Sequence, residues 1–239
     1  MQAGPLEKSG HAGGPPRRSG MDSSGRARPR GAAGNAPAAW PQRQRRVPMP
    51  LSKHGYPRPL ILKDGREVWL RPLQPVEDEA RLFTFLGSLS DEDRWYLDFD
   101  AVDPEAVRRE LLECNPRCVL PIVAVDTRDA VLALATLQRH HPGARGHIGR
   151  VRVTVAPAAR GQRLGTYVFL DLIQLAVELG LRVLMAQFVR GVEDQAIRAV
   201  RRLDFFEQAV VPDYAKDPRG NSYDLVIMLK RVHRGYDDF

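Results

Sequence analysis

The sequence predicts a mixed α/β (α+β) fold, a central sheet with helices on its faces, behind a tail that takes no part in it. Three observations carry this. Short β-rich runs with apolar alternation recur from Leu60 to Lys230. A strongly apolar helical stretch, Thr166–Leu179, lies between two of them and gives strand–helix–strand order. Residues 1–55 show no such periodicity and are rich in Gly, Pro, Ala and Arg. The organisation expected is therefore a disordered basic tail over 1–55 and one folded domain over 56–239.

Within the domain, "ILKDGREVWLRPL" reads as two short strands around the Asp64-Gly65 turn. In "PVEDEARLFTFLGSL", a Pro and acids open a helix whose stripe is Ala80, Leu82, Phe83 and Leu86. "SDEDRWYLDF" starts on a Ser N-cap, and "DPEAVRRELLE" on Asp103 with Pro104 at the first helical position. "CVLPIVAVDTRDAVLALATLQRHH" gives two strands separated by the Thr127–Asp129 turn. "HIGRVRVTVAP" alternates, with Ile148, Val151, Val153 and Val155 as its apolar members. The apolar helix stops at Gly180; "RVLMAQFV" is a buried strand, "GVEDQAIRAVRRL" a short helix, and "FFEQAVV" and "SYDLVIMLK" the last strands.

Charge narrows the partners. Residues 1–50 carry nine Lys/Arg against Glu7 and Asp22, which accounts for the whole net charge of +7; the rest carries 27 of each sign. The domain has no global basic bias, and the tail has a single aromatic, Trp40, rather than aromatics interleaved for stacking on bases, so no nucleic-acid partner is expected. The tail reads as inert, with Met49 as an alternative start, in preference to a polyanion-binding arm. No apolar run approaches the ~18 residues of a membrane span, and "MQAGPLEKSGHAGGPPRRSG" lacks a signal-peptide core. No membrane partner and a cytoplasmic location are expected. Cys114 and Cys118 in "CNPRC" have no nearby histidine or second cysteine pair, so no metal site is expected and both read as ordinary thiols.

The chemistry-bearing stretch is "VAPAARGQRLGT", Val155–Thr166. A strand ends, a basic glycine-bearing loop follows, and a helix begins at once. Gly161 and Gly165 permit close backbone approach, while the first turn of the helix exposes N–H groups without partners. Such donors at a helix N-terminus bind phosphate oxygens, and Arg160 and Arg163 add charge. The loop lacks the Gly-Lys-Ser/Thr ending of a Walker A motif and is not G-x-G-x-x-G. An ordinary strand-to-helix turn has the same outline.

In its context the loop resembles the Arg/Gln-x-x-Gly-x-Gly/Ala signature of the GNAT superfamily of acyl-CoA-dependent N-acyltransferases. Arg160, Gly161, Gln162, Arg163, Leu164 and Gly165 occupy it. The resemblance extends over about residues 60–230 and includes "LKDGREVWLRPLQPVEDEA", "DQAIRAVRRLDFFEQAV" and "VVPDYAKDPRGNSYDLVIMLK", the last being like the closing hairpin of bacterial members. It implies a GNAT-type mixed central sheet of about seven strands flanked by helices, with acetyl-CoA as acyl donor. The backbone of Arg160, Gly161, Gln162, Arg163, Leu164, Gly165 and Thr166 would hold the pyrophosphate. The strand Arg152–Val155 would pair with the pantetheine arm, leaving the thioester between it and the strand Arg182–Val189. A backbone N–H near Val153 would polarise the acyl carbonyl, and Val155 would complete the cofactor-binding set.

The pattern departs from the family in four places. Arg163 stands where glycine is usual, and an arginine in helical conformation there would keep binding and add a phosphate contact. Glu193 stands where a cofactor-binding Asn is common, Val200 where the Tyr that protonates the thiolate is common, and Arg150 where the catalytic Glu is common. Tyr214 and Glu193 are the candidate acid and base, beside weaker candidates Asp194, His140, His141 and His147. The function this implies is acetyl transfer to a primary amine by direct attack in a ternary complex. The alternative is a non-catalytic acyl-CoA-binding or regulatory module. The acceptor, small molecule or protein, is not specified; acids of the first helices (Glu77, Asp78, Asp91, Glu92, Asp93) are candidates to attract its ammonium. Dimerisation through the last strands stays open.

Overall fold

The structure, a computed structural model, describes residues 55–140 and 142–232. Residues 1–54 of the tail and His141 lie outside the described residues. Among these residues eight strands form one sheet: β1 (Arg58–Ile61), β2 (Glu67–Pro72), β3 (Val119–Asp126), β4 (Val131–Arg139), β5 (Ile148–Val155), β6 (Val183–Val189), β7 (Phe206–Lys216) and β8 (Ser222–Arg231). The helices are α1 (Glu79–Ser88), α2 (Asp91–Trp95), α3 (Pro104–Val107, continued as a π turn to Leu112), α4 (Leu164–Glu178) and α5 (Asp194–Arg201). The spatial order is β1-β2-β3-β4-β5-β6-β8-β7. Neighbours are antiparallel except β5 and β6, which α4 connects in parallel.

Two cores cover the two faces. On one, α4 lays Leu164, Val168, Leu172 and Leu175, all at most 1% exposed, onto Val151, Leu137 and Leu184. That spacing is the i, i+4, i+8, i+11 stripe of an amphipathic helix. On the other, Leu82, Phe85 and Leu86 of α1 pack with Val107, Leu111, Val123 and Val125.

The helix starts follow their caps. Ser90 and Asp93 form a reciprocal capping box at α2, and the Asp103 carboxylate accepts the Glu105 N–H at α3. Asp78, placed in sequence among acids for an acceptor ammonium, is instead buried at 0% exposure. It accepts hydrogen bonds from Arg71 at 2.5 and 2.8 Å, from the Gln74 N–H at 2.8 Å and from Arg81 at 3.2 Å. The Arg71-Pro72 stretch and the start of α1 are thereby fastened together. Burial works against its ionisation, but these donors outweigh it and hold the Asp78 carboxyl below the usual range.

The first strand is held similarly. The buried Asp171 of α4 accepts from the Tyr56 hydroxyl and from Arg58 at 2.7 Å, and Arg58 also reaches Glu178 at 3.5 Å. The β1–β2 turn in turn props the glycine loop, since Lys63 N–H donates to the Gln162 carbonyl at 3.3 Å and Arg66 to the Ala158 carbonyl at 3.2 Å.

Candidate functional site

The site begins where two strands part. β5 and β6 pair only over Ile148–Arg150 and Val183–Met185, whereas β5 pairs with β4 along Gly149–Val155. Beyond Arg150 the edge of β5 facing β6 is therefore left open. The closed end needs Gly149: a Cβ there would lie 2.8 Å from Leu181 Cδ1 and 2.9 Å from Leu137 Cδ1.

A cleft of about 820 Å³ follows the gap. Val153, Val155, Arg160, Gly161, Arg163, Leu164, Gly165 and Thr166 line it, and so does Glu193. Of the cofactor-binding residues expected from sequence, Gln162 is not among its walls; its carbonyl accepts the β1–β2 turn. The first α4 donor with an internal acceptor is the Tyr167 N–H, bonded to the Arg163 carbonyl at 3.1 Å. The N–H groups of Gly161 to Thr166 have no hydrogen-bond partner among the described residues. Gly161 (φ 75°) and Arg163 (φ 65°) are both left-handed, and such turns gather successive N–H groups into an anion-binding concavity.

Arg163 thus departs from the helical conformation expected of it. It caps α4 at φ 65°, ψ 7°, the backbone that favours glycine, because the chain must reverse sharply between the short 3₁₀ turn Pro157–Ala159 and α4. Arg160 donates to the Val155 carbonyl at 3.2 Å and pairs with Asp93 of α2 at 2.8 Å, so the far wall of the cleft is tied to the loop.

Glu193 sits at the other wall. One carboxylate oxygen accepts the Val189 N–H at 2.8 Å; the other lies 3.4 Å from Arg152. It precedes α5 without capping it through its side chain. Burial pushes its carboxyl above the usual Glu value, against the opposing pull of Arg152 and the Val189 N–H. Tyr214 is 66% exposed on β7 and does not line the cleft. The phenol that does is Tyr96, at the end of α2, whose proton is held more tightly than usual by burial and by Tyr223, Asp217, Glu92 and Glu193. Asp217 itself holds the β7–β8 turn, accepting the Arg219 and Asn221 N–H groups at 2.9 and 2.8 Å. His140 and His147 are exposed and outside the cleft walls.

A second pocket, about 250 Å³, lies on the α1–α3 face of β4 and β5. Arg150, Arg152 and Thr154 of β5 stand in register beside Gln138, Thr136 and Leu134 of β4, and all six line it. Leu97, Asp98, Phe99, Glu110 and Leu111 close it from the helical side. Leu97, Arg152 and Thr154 belong to both cavities, so the pocket opens on the cleft. Sequence reading missed this row. The signal was present in Arg150-Val151-Arg152-Val153-Thr154-Val155, whose polar members alternate as strictly as the valines.

Comparison with known proteins agrees with this geometry. The profile of the acetyltransferase (GNAT) family matches residues 76–205, more than half of the chain. The chain belongs to that family. Similar folds include a GCN5-related N-acetyltransferase from Kribbella flavida, 24% identical over 69% of this chain and 98% of that one, with a TM-score of 0.59. Another is a ribosomal-protein-alanine N-acetyltransferase from Brucella melitensis, 23% identical over 68% and 99%, TM-score 0.58. A third is a phosphinothricin acetyltransferase from Sinorhizobium meliloti in complex with AcCoA, 18% identical over 74% and 92%, TM-score 0.61. No curated protein matches the sequence at a significant level. The sheet has eight strands among the described residues, where about seven were expected.

Proposed function

We propose that the protein is an acetyl-CoA-dependent N-acetyltransferase that moves an acetyl group to a primary amine by direct attack in a ternary complex. The observation that carries this is the open edge of β5 running into the free N–H groups of Gly161–Thr166, beside a cleft of about 820 Å³. Those N–H groups, with Arg160 and Arg163 at the rim, suit a pyrophosphate. The stretch Arg152–Val155, unpaired on its edge towards β6, suits an arm that offers amide groups, as a further strand would. That the Sinorhizobium meliloti phosphinothricin acetyltransferase is in complex with AcCoA supports the choice of donor.

Acetyl-CoA supplies an acetyl thioester: a C–N bond forms as the C–S bond breaks, the amine gives up one proton and CoA leaves as the thiol. Glu193 is the proton acceptor in this reading, because it faces both the cleft and Arg152 and its raised pKa brings it nearer to the working range of a base. Tyr96 takes the proton-donor role that sequence had given to Tyr214. A backbone N–H near Val153 stabilises the developing oxyanion.

Calorimetry with CoA and acetyl-CoA tests the first half, and thiol release with an amine panel the second. Saturable binding of micromolar order, weakened by Arg160→Ala or by a bulky residue at Gly165, is the expected result. Absence of CoA binding by the purified protein refutes the proposal.

A further inference from the structure

The small pocket has a charge pattern that the transfer reaction alone does not require. Its walls carry two guanidinium groups, Arg150 and Arg152, and two carboxylates, Asp98 and Glu110. Arg150 pairs with Asp98 at 2.8 Å while 29% of its side chain stays exposed. Arg152 donates to the Tyr96 carbonyl and approaches Glu193 at 3.4 Å. Its Nε is buried and has no hydrogen-bond partner among the described residues.

Position along β5 gives the pocket a direction. Arg150 and Gln138 line the small pocket alone, whereas Arg152 and Thr154 also line the cleft. Two residues on one face of a strand are about 7 Å apart. An acceptor therefore has one end at Arg150 and Gln138 and the other beside Arg152, Thr154 and Glu193, where the amine must be. A bare polyamine would set its second cationic nitrogen against Arg150. A molecule with an ammonium at one end and an oxyanion at the other matches both signs. The volume of about 250 Å³ is below the roughly 300–1,000 Å³ of drug-sized ligand sites, which fits a small metabolite.

From this arrangement we infer that the acceptor is a small amino acid, its carboxylate held by Arg150 with Gln138 and its amine presented at Arg152–Thr154. The inference rests on the acetyltransferase reading above; the products are the N-acetyl amino acid and CoA thiol. Loss of one charge-assisted pair to a carboxylate is a change of about tenfold or more in affinity.

The test uses the full chain with acetyl-CoA and follows thiol release from α- and ω-amino acids, their carboxamides, the decarboxylated amines including polyamines, and a lysine peptide. At least one amino acid is expected to exceed its own carboxamide and amine by about tenfold or more in kcat/KM. Arg150→Gln should lower kcat/KM for the amino acid by about tenfold or more beyond any fall for its carboxamide, a split that a loss of folded protein would not produce. Turnover of polyamines or peptide without amino acids, or an equal fall on both substrates in R150Q, overturns the assignment and leaves the acetyltransferase reading intact. Silence with every amine removes the catalytic reading instead. Calorimetry of the same amino acids into CoA-saturated protein then decides: binding that R150Q abolishes supports the pocket's assignment, and no binding overturns it.

Discussion

Replacing Arg163 separates a backbone effect from a charge effect at one residue. The residue holds φ 65°, ψ 7° at the start of α4, is exposed and makes no capping hydrogen bond through its side chain. A left-handed conformation costs an L-residue about 1–2 kcal/mol. Glycine removes that cost and returns about 0.5–1 kcal/mol through the greater freedom of the unfolded chain. Arg163→Gly should therefore stabilise the domain by about 0.5–1 kcal/mol, or about 1–4 °C in Tm at this size. Arg163→Ala removes the same side chain and keeps the strain, so its Tm should stay near that of the wild type. The assays are thermal and urea unfolding of both variants, with calorimetry of CoA beside them. An exposed arginine–phosphate contact is worth about 0.2–1 kcal/mol, so both variants should bind CoA about 1.5- to 5-fold more weakly. Equal stability of R163G and R163A would refute the backbone argument. Tighter CoA binding in both would show that the arginine crowds the pyrophosphate.

Asp78→Ala should cost about 3–5 kcal/mol in urea unfolding, since it strands Arg71 in a site built around a fully buried carboxylate. Because the folded pKa of Asp78 is lowered, its contribution is complete above the ordinary value of 3.8 and fades as pH falls below it, so the gap between wild type and D78A should narrow in acid. Glu193→Gln should lower kcat by about 10²–10⁴-fold. The wild-type pH–rate profile should lose activity on the acid side with a midpoint above 4.5, because burial raises the group that must be deprotonated. Gly149→Ala should cost about 1–3 kcal/mol, read from the urea midpoint, since Leu181 and Leu137 must both yield inside a packed core.

Much of this fold was legible because its determinants are local. Ser90 and Asp103 declare helix starts through their own side chains, and Asp64-Gly65 declares a turn. The glycine loop was legible as a loop for the same reason. What escaped was set by pairing across distance. Asp78 reads as one more acid at a helix start until Arg71, seven residues earlier, is brought against it. Tyr214 and Tyr96 are equally plausible phenols in sequence; only the docking of α2 against the cleft separates them. The left-handed Arg163 was hidden because a positive φ is announced by glycine, and here glycine is missing. The arginine row of β5 was in plain view, but its meaning depended on which face the helices would cover.

The parting of β5 from β6 also sets where the molecule yields first. Three residue pairs on each strand join a five-strand leaf, β1–β5, to a three-strand leaf, β6, β8 and β7, with α4 as the binding. A ligand lying along β5 would act as a second seam. Local opening free energy tracks such seams. Hydrogen exchange should accordingly be faster, in the ligand-free protein, at those amides of Arg152–Val155 that face β6 than within the β4–β5 and β6–β8 ladders, and should slow there on saturation with CoA. The surface that works would then be the surface that breathes.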